Sequence, residues 1–230
     1  LEYGVPADDL IKFDNLHNIN PSIPKLFFFR DTAIPTFSLR GKSISLPRDR
    51  KTLFLIRDPR DVAVSFYFHI KNRASYRELD RKGITDVDRS LELYDFVMDK
   101  RLGVQRVIEH MNRWHDVMQG MPSRMVVKYE EMRAGPVDVL GRVMSFLDRE
   151  FGQDVISRSV EFASFENLSR KERDGFFKSD ILRPGDAGGG DSHKVRRGKI
   201  GGYRDYFTDK QSACIERLVL DYLKPVYGYK

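Results

Sequence analysis

The sequence predicts an α/β layer fold in which a central, mostly parallel sheet is flanked by helices. Short continuous apolar runs at 26–29 (LFFF) and 53–56 (LFLI), with RMVVKY at 124–129 as a third, are bounded by charge or turn residues, as strands covered on both faces are. Between them, apolar residues recur at helical spacing: Val104, Val107, Ile108, Met111, Trp114 and Met118 in one segment, Val137, Leu140, Val143, Met144 and Leu147 in another. Strands alternating with helices pack in layers around one core.

Taken in order, the run at 53–56 ends at Arg57, Asp58 is placed to cap a helix and Pro59 suits a first helical position, so a helix is expected over 60–72. Helices are also expected at 90–99, 153–162 and 209–222. The helix after 135 opens on Gly135-Pro136, and Gly152 is expected to mark the chain reversal beyond its end. Residues 183–202 (RPGDAGGGDSHKVRRGKIGG) are glycine-rich and basic and should form an irregular, mobile loop, of a length that in compact domains goes with function or disorder. There is no internal repeat, and 230 residues suffice for one α/β domain, so a single domain over 1–230 is expected.

Forty Lys and Arg against 34 Asp and Glu give a net charge of +6, which favours an anionic partner: nucleic acid, an anionic membrane surface or a phosphate-bearing cofactor. A merely solubilising surface would have the same composition. No apolar stretch approaches the roughly 20 residues that cross a bilayer. The opening LEYGVPADDL has neither the basic end nor the apolar segment of a secretory signal. The single cysteine, Cys214, has no internal disulfide partner and lies in an apolar-periodic helix, where a buried thiol is expected; a reducing, cytoplasmic setting fits. Cysteine-based zinc is excluded, and His110 and His115 miss the helical i, i+4 pair by one residue, so no metal is expected.

Two constellations carry chemistry. In LFLIRDPRDVAVSFYFH (53–69) the carboxyl end of a strand meets the amino end of a helix at Arg57, the edge of a parallel sheet where free backbone N–H groups and the helix dipole favour an anion. Arg57 adds a planar fork matched to phosphate, and Ser65 reaches the same anion if the helix packs back over the site. The competing expectation pairs Arg57 with Asp58 or Asp61 and leaves Ser65 satisfied by its own helix. In VRRGKIGGYRDYFTD (195–209) cations alternate with glycines before a helix start at Thr208-Asp209, a prospective phosphate grip. Its alternative is a flexible basic tail for nucleic acid, against which Tyr203, Tyr206 and Phe207 predict an ordered return to the core.

These residues resemble a known family. IRDPRDVAVSFYFH resembles the 3′-phosphate-binding strand-turn-helix of sulfotransferases that use 3′-phosphoadenosine-5′-phosphosulfate (PAPS), and VRRGKIGGYRDYFT resembles their Arg-Lys-Gly phosphate loop. KYEEM (128–132) resembles the segment supplying a tyrosine near the nucleotide, and SFENLS (164–169) the Ser-Phe segment whose ring stacks on adenine. Four motifs in the family's order are more specific than any one alone. The resemblance implies a P-loop nucleotide-hydrolase-like sulfotransferase fold and sulfuryl transfer from PAPS to a hydroxyl or amine of a small-molecule or glycan acceptor, releasing 3′,5′-adenosine bisphosphate. It implies that Arg57 and Ser65 hold the 3′-phosphate, that Arg196, Arg197 and Gly198 close on it, and that Tyr129 and Phe165 flank the adenine. Arg197 stands where many relatives have lysine. No metal and no specific nucleic acid enter this reading.

The sequence departs from the family pattern twice. The Pro-Lys/Arg-Ser-Gly-Thr-Thr loop that wraps the 5′-phosphosulfate is absent from these 230 residues; Arg40-Gly41-Lys42-Ser43 ends like a Walker loop but has Thr36 where the first glycine belongs. Since the chain opens without Met, downstream of where that loop belongs, it is expected to lack the first strand and loop. A catalytically inactive nucleotide-binding relative is the competing expectation, and a basic nucleic-acid-binding protein a third. Relatives place a histidine general base after the second strand, where this chain has Arg30 and Asp31. Asp31, were its pKa raised by burial, and His69 are the remaining candidates, each read more simply as a turn or cap residue and a partly buried helix residue.

Overall fold

A computed structural model of the chain describes residues 50–72, 87–176 and 198–229, the strand segments 36–39 and 42–45, and positions 17, 18, 20–23, 26, 74, 79 and 84. The predicted strand at 26–29 lies largely outside the described residues, as do Asp31 and residues 183–197.

The strands Thr36–Leu39 (β1) and Lys42–Ser45 (β2) pair antiparallel with Leu39 opposite Lys42; of the Walker-like run, Lys42 and Ser43 lie on β2, and Arg40 and Gly41 are outside the described residues. The strands Thr52–Ile56 (β3) and Arg124–Lys128 (β4), both expected from their apolar runs, pair parallel, with Thr52 opposite Arg124 and Ile56 opposite Lys128. A parallel pair needs a long crossover. It is supplied by the helices Pro59–Asn72 (α1), Leu93–Met98 (α2) and Val104–Gln119 (α3).

The core lies where these helices meet. Ala63, Val64, Tyr67 and Ile70 of α1 pack with Phe96 and Val97 of α2 and Val104, Ile108 and Met111 of α3. Phe54 of β3 reaches the second layer through Trp114, ring centroids 5.7 Å apart. The α2–α3 junction is tight: a Cβ on Gly103 would stand 2.0 Å from the Val97 carbonyl oxygen. One expectation fails here. β3 is not covered on both faces, because Leu53 and Leu55 are 37% and 52% exposed and border a cavity.

After β4 the chain runs through Tyr129–Ala134 (α4), Pro136–Phe146 (α5), Gln153–Phe162 (α6) and Phe165–Arg173 (α7). Pro136 opens α5 as expected, but the left-handed residue at the reversal is Asp148, with φ 55°, while Gly152 caps α6. Asp209–Tyr222 (α8) begins at a capping box in which Thr208 Oγ1 accepts from Gln211 N and Thr208 N donates to Gln211 Oε1. Its inward stripe runs through Ile215 and Val219, which leaves Cys214 exposed rather than buried as expected. A 3₁₀ turn at Pro225–Tyr227 returns the tail to α3, where the Tyr227 hydroxyl donates to the Met111 carbonyl at 2.6 Å.

Candidate functional site

The parallel pairing of β3 and β4 brings the residues following both strands to one edge of the sheet. Arg57 follows Ile56, and Tyr129 follows Lys128 directly opposite; the Arg57 guanidinium carbon lies 4.4 Å from the Tyr129 ring centroid. Stacking on an aromatic face restrains a guanidinium while leaving its in-plane donors available. Arg57 Nη2 donates to Asp61 Oδ2 at 3.1 Å and to the Lys199 carbonyl at 2.8 Å. The pairing with Asp61 set against a phosphate role is therefore present. Arg57 Nε is buried with no hydrogen-bond partner among the described residues.

The helix end beside Arg57 is not the open anion seat expected of it. Asp58 Oδ1 accepts from Arg60 N at 2.9 Å, capping α1, and the same carboxylate takes the Arg60 guanidinium through Nε and Nη2 at 2.9 and 2.7 Å. Asp58 N donates to Glu130 Oε1 at 2.9 Å, and Glu130 Oε2 accepts from the Tyr229 hydroxyl at 2.7 Å. Burial and that bond hold the Tyr229 hydroxyl well above its ordinary pKa. With these N–H groups taken by carboxylates, anion recognition at this edge falls to side chains.

The far end of the basic loop closes the other side. Gly198, in the left-handed region at φ 60°, lies against Phe165, and its carbonyl is 3.4 Å from the Tyr129 hydroxyl. Phe165 opens α7, whose cap Ser164 accepts from Asn167 N through its hydroxyl, and Arg133 lies 5.7 Å from the Phe165 ring centroid. Past Lys199 the chain turns inward. Gly201 N and Tyr203 N donate to Asp61, and Tyr203 is 1% exposed, the ordered return its aromatic residues predicted. The Tyr203 hydroxyl donates to Glu216 Oε1 at 2.8 Å, and Arg204 Nη2 pairs with the same oxygen at 2.7 Å.

Arg57, Ser65, Tyr129, Phe165 and Gly198 thus border one cavity of about 820 Å³. Five residues singled out in the sequence meet there: Arg57 just after β3, Ser65 on α1, Tyr129 at the start of α4, Phe165 at the start of α7, and Gly198 of the loop. Arg196 and Arg197 lie outside the described residues. His69 lies a helical turn beyond Ser65, half-buried and stacked on Phe66 with centroids 6.4 Å apart, and it does not border the cavity. Sequence reasoning gave no site role to Glu130, counted Lys199 only among the cations of the basic loop, and gave Asp61 only as a partner that would take Arg57 from a phosphate. The donors fit a phosphate: a guanidinium on a side chain that is 25% exposed at the cavity, an exposed serine on the same wall, and a glycine whose missing side chain leaves room beside an aromatic ring.

The profile of the sulfotransferase domain matches residues 37–224, most of the chain and all of this site. The chain belongs to the sulfotransferase family. Sulfotransferase 2A6 of Mus musculus is 23% identical over 173 residues, covering 74% of this chain and 55% of the relative. Cytosolic sulfotransferase 16 of Arabidopsis thaliana is 26% identical over 242 residues, covering 96% of this chain and 68% of the relative. Among solved structures, retinol dehydratase in complex with androsterone and the inactive cofactor PAP superposes with a TM-score of 0.56 at 25% identity, over 76% of this chain and 47% of that one. A mouse sulfotransferase complexed with PAP gives the same TM-score at 17% identity, a likeness of fold. This sulfotransferase chain has the α/β fold of the family, and it spans little more than half the length of the mouse relative.

Proposed function

We propose that this sulfotransferase domain, a single unit over 1–230, recognises the 3′-phosphoadenosine end of PAPS and serves transfer of the sulfuryl group to a hydroxyl or amine of a small acceptor, releasing 3′,5′-adenosine bisphosphate. The meeting of Arg57, Ser65 and Gly198 with Tyr129 and Phe165 around one cavity carries the reading. In it Arg57 and Ser65 hold the 3′-phosphate, Arg196, Arg197 and Gly198 close over it, and Tyr129 and Phe165 bound the base. A relative named cytosolic, and a neighbour solved with androsterone, support a cytoplasmic protein with a small-molecule acceptor.

PAPS, when bound, supplies an activated sulfur whose bond to the bridging phosphate oxygen breaks as the acceptor oxygen or nitrogen bonds to sulfur. This chain's residues contribute position and charge: the Arg57 cation, held on Tyr129 and by Asp61, anchors the nucleotide at the phosphate remote from the reacting sulfur. The acceptor's proton needs a base, and no histidine among the described residues borders the cavity.

Calorimetric titration with 3′,5′-adenosine bisphosphate tests the reading. Wild-type chain should bind it, and Arg57→Ala, titrated below its own melting temperature because buried Asp61 loses its cation, should lose at least about tenfold in affinity. Equal binding by the two proteins refutes the assignment of Arg57. A radiolabelled sulfate-transfer screen separates an active enzyme from a relative that binds without transferring.

A further inference from the structure

Asp61 joins the two halves of the candidate phosphate grip. It is buried, its side chain 2% exposed, and it receives one side-chain and two backbone donors: Arg57 Nη2 at 3.1 Å and Gly201 N at 2.9 Å on Oδ2, and Tyr203 N at 3.0 Å on Oδ1. The two backbone donors lie 140 and 142 residues along the chain from Asp61, Gly201 at the end of the basic loop and Tyr203 just past it. A carboxylate removed from water is costly unless fully hydrogen-bonded, and here the cation and two N–H groups meet that demand.

Its charge is of the wrong sign to attract a phosphate, so its place on the cavity wall calls for another role. We infer that Asp61 is a positioning residue: it sets the Arg57 fork by one nitrogen and pins the end of the basic loop against α1 so that Arg57 and Gly198 face one ligand group. Lys199 reinforces the link through its carbonyl, which accepts from the same Arg57 nitrogen at 2.8 Å. A carboxylate has acceptor capacity for all these donors at once, whereas an amide in its place would turn an NH₂ group toward the guanidinium or a backbone N–H. The inference rests on the 3′-phosphate reading of the site and extends it to the residue that assembles it.

Titration of the wild-type chain with 3′,5′-adenosine bisphosphate and with adenosine 5′-monophosphate, which lacks the 3′-phosphate, measures a preference that tests the reading itself; no preference refutes that reading whatever Asp61 does. Given a preference, Asp61→Asn is expected to reduce it by roughly tenfold or more while leaving 5′-monophosphate affinity near wild type, an asymmetry that general loosening of the fold would not produce. In an Arg57→Ala background, Asp61→Asn should change the preference by less than it does in wild type, because part of its effect passes through Arg57 and only the loop contacts at Gly201 and Tyr203 remain. If Asp61→Asn does not fold, Asp61→Glu, which keeps the charge but moves it by one methylene, is expected to lose at least about threefold of the preference. A folded variant that keeps the wild-type preference, or loses both ligands equally, overturns the inference.

Discussion

Gly198 rests against the ring of Phe165, so that a Cβ built on Gly198 would stand 2.6 Å from Phe165 Cδ2 and 2.9 Å from Cε2. The residue ending the basic loop and the residue opening α7 are thereby held in one arrangement. Gly198→Ala meets two penalties at once, a collision with the ring and a left-handed backbone that costs an L-residue about 1–2 kcal/mol. The variant is expected to unfold at lower urea concentration and to bind 3′,5′-adenosine bisphosphate more weakly, as read by denaturant titration and calorimetry. Wild-type affinity in Gly198→Ala would show that the ring contact has no part in binding.

Gly103 also makes a tight contact, with backbone, and its consequence is structural. A methyl group there would meet the Val97 carbonyl oxygen at 2.0 Å and the Phe96 carbonyl oxygen at 2.7 Å, backbone atoms that cannot rotate away. Gly103→Ala must separate α2 from α3 and is expected to cost about 3 kcal/mol, typical of an overpacked core. Urea midpoints should fall with an unchanged slope, and an unshifted midpoint would contradict the geometry.

The tail sets an alkaline limit. Burial pushes the Tyr227 hydroxyl up to about 12 from an ordinary 10.0. Unfolded chain therefore gives up this proton before folded chain does, so the stability linked to Tyr227 is intact below pH 10 and is lost as pH rises toward 12. Melting temperature measured across that window should fall less steeply in Tyr227→Phe than in wild type. The same variant leaves the Met111 carbonyl without this donor and should lose about 1 kcal/mol at neutral pH.

An acid limit comes from Glu216. The Tyr203 hydroxyl bond, and then the Arg204 bond and charge, hold its carboxyl below the ordinary 4.5 against the opposing effect of burial. The unfolded state takes up this proton first, so the linked stability is present above pH 4.5 and fades as pH falls through the lower native value. Glu216→Gln should lower the melting temperature at neutral pH, where the charged acceptor of Tyr203 and Arg204 is lost, and flatten the acid limb of a plot of melting temperature against pH. An identical acid limb in the variant would remove Glu216 from the account.

The elements were legible where local signals agreed. LFLI followed by Arg57-Asp58-Pro59 announces a strand, a cap and a first helical turn, and β3 and α1 follow that order with Asp58 accepting from Arg60 N. Thr208 with Gln211 three positions on announces α8 in the same local terms. Cys214 was misplaced because apolar periodicity fixes a stripe and not which neighbour of that stripe stays outside it. The β1–β2 pair went unseen because four-residue strands of mixed polarity have no period long enough to read.

The order of residues along the chain was enough to name Arg57, Ser65, Tyr129, Phe165 and Gly198 as one set, because each sits in a short segment whose chemistry is local. What those residues do to one another follows from register and crossover. Parallel pairing of β3 with β4 puts Arg57 on the Tyr129 ring, and the return of the chain at Tyr203 carries two backbone donors to Asp61. The same folding gives the backbone N–H of Asp58 to Glu130, turning an expected anion seat at a helix end into a satisfied joint. Hydrogen bonds across more than a hundred residues have no sequence period. They are settled when the core of α1, α2, α3 and α8 closes and leaves each buried donor to find the acceptor that burial has brought beside it.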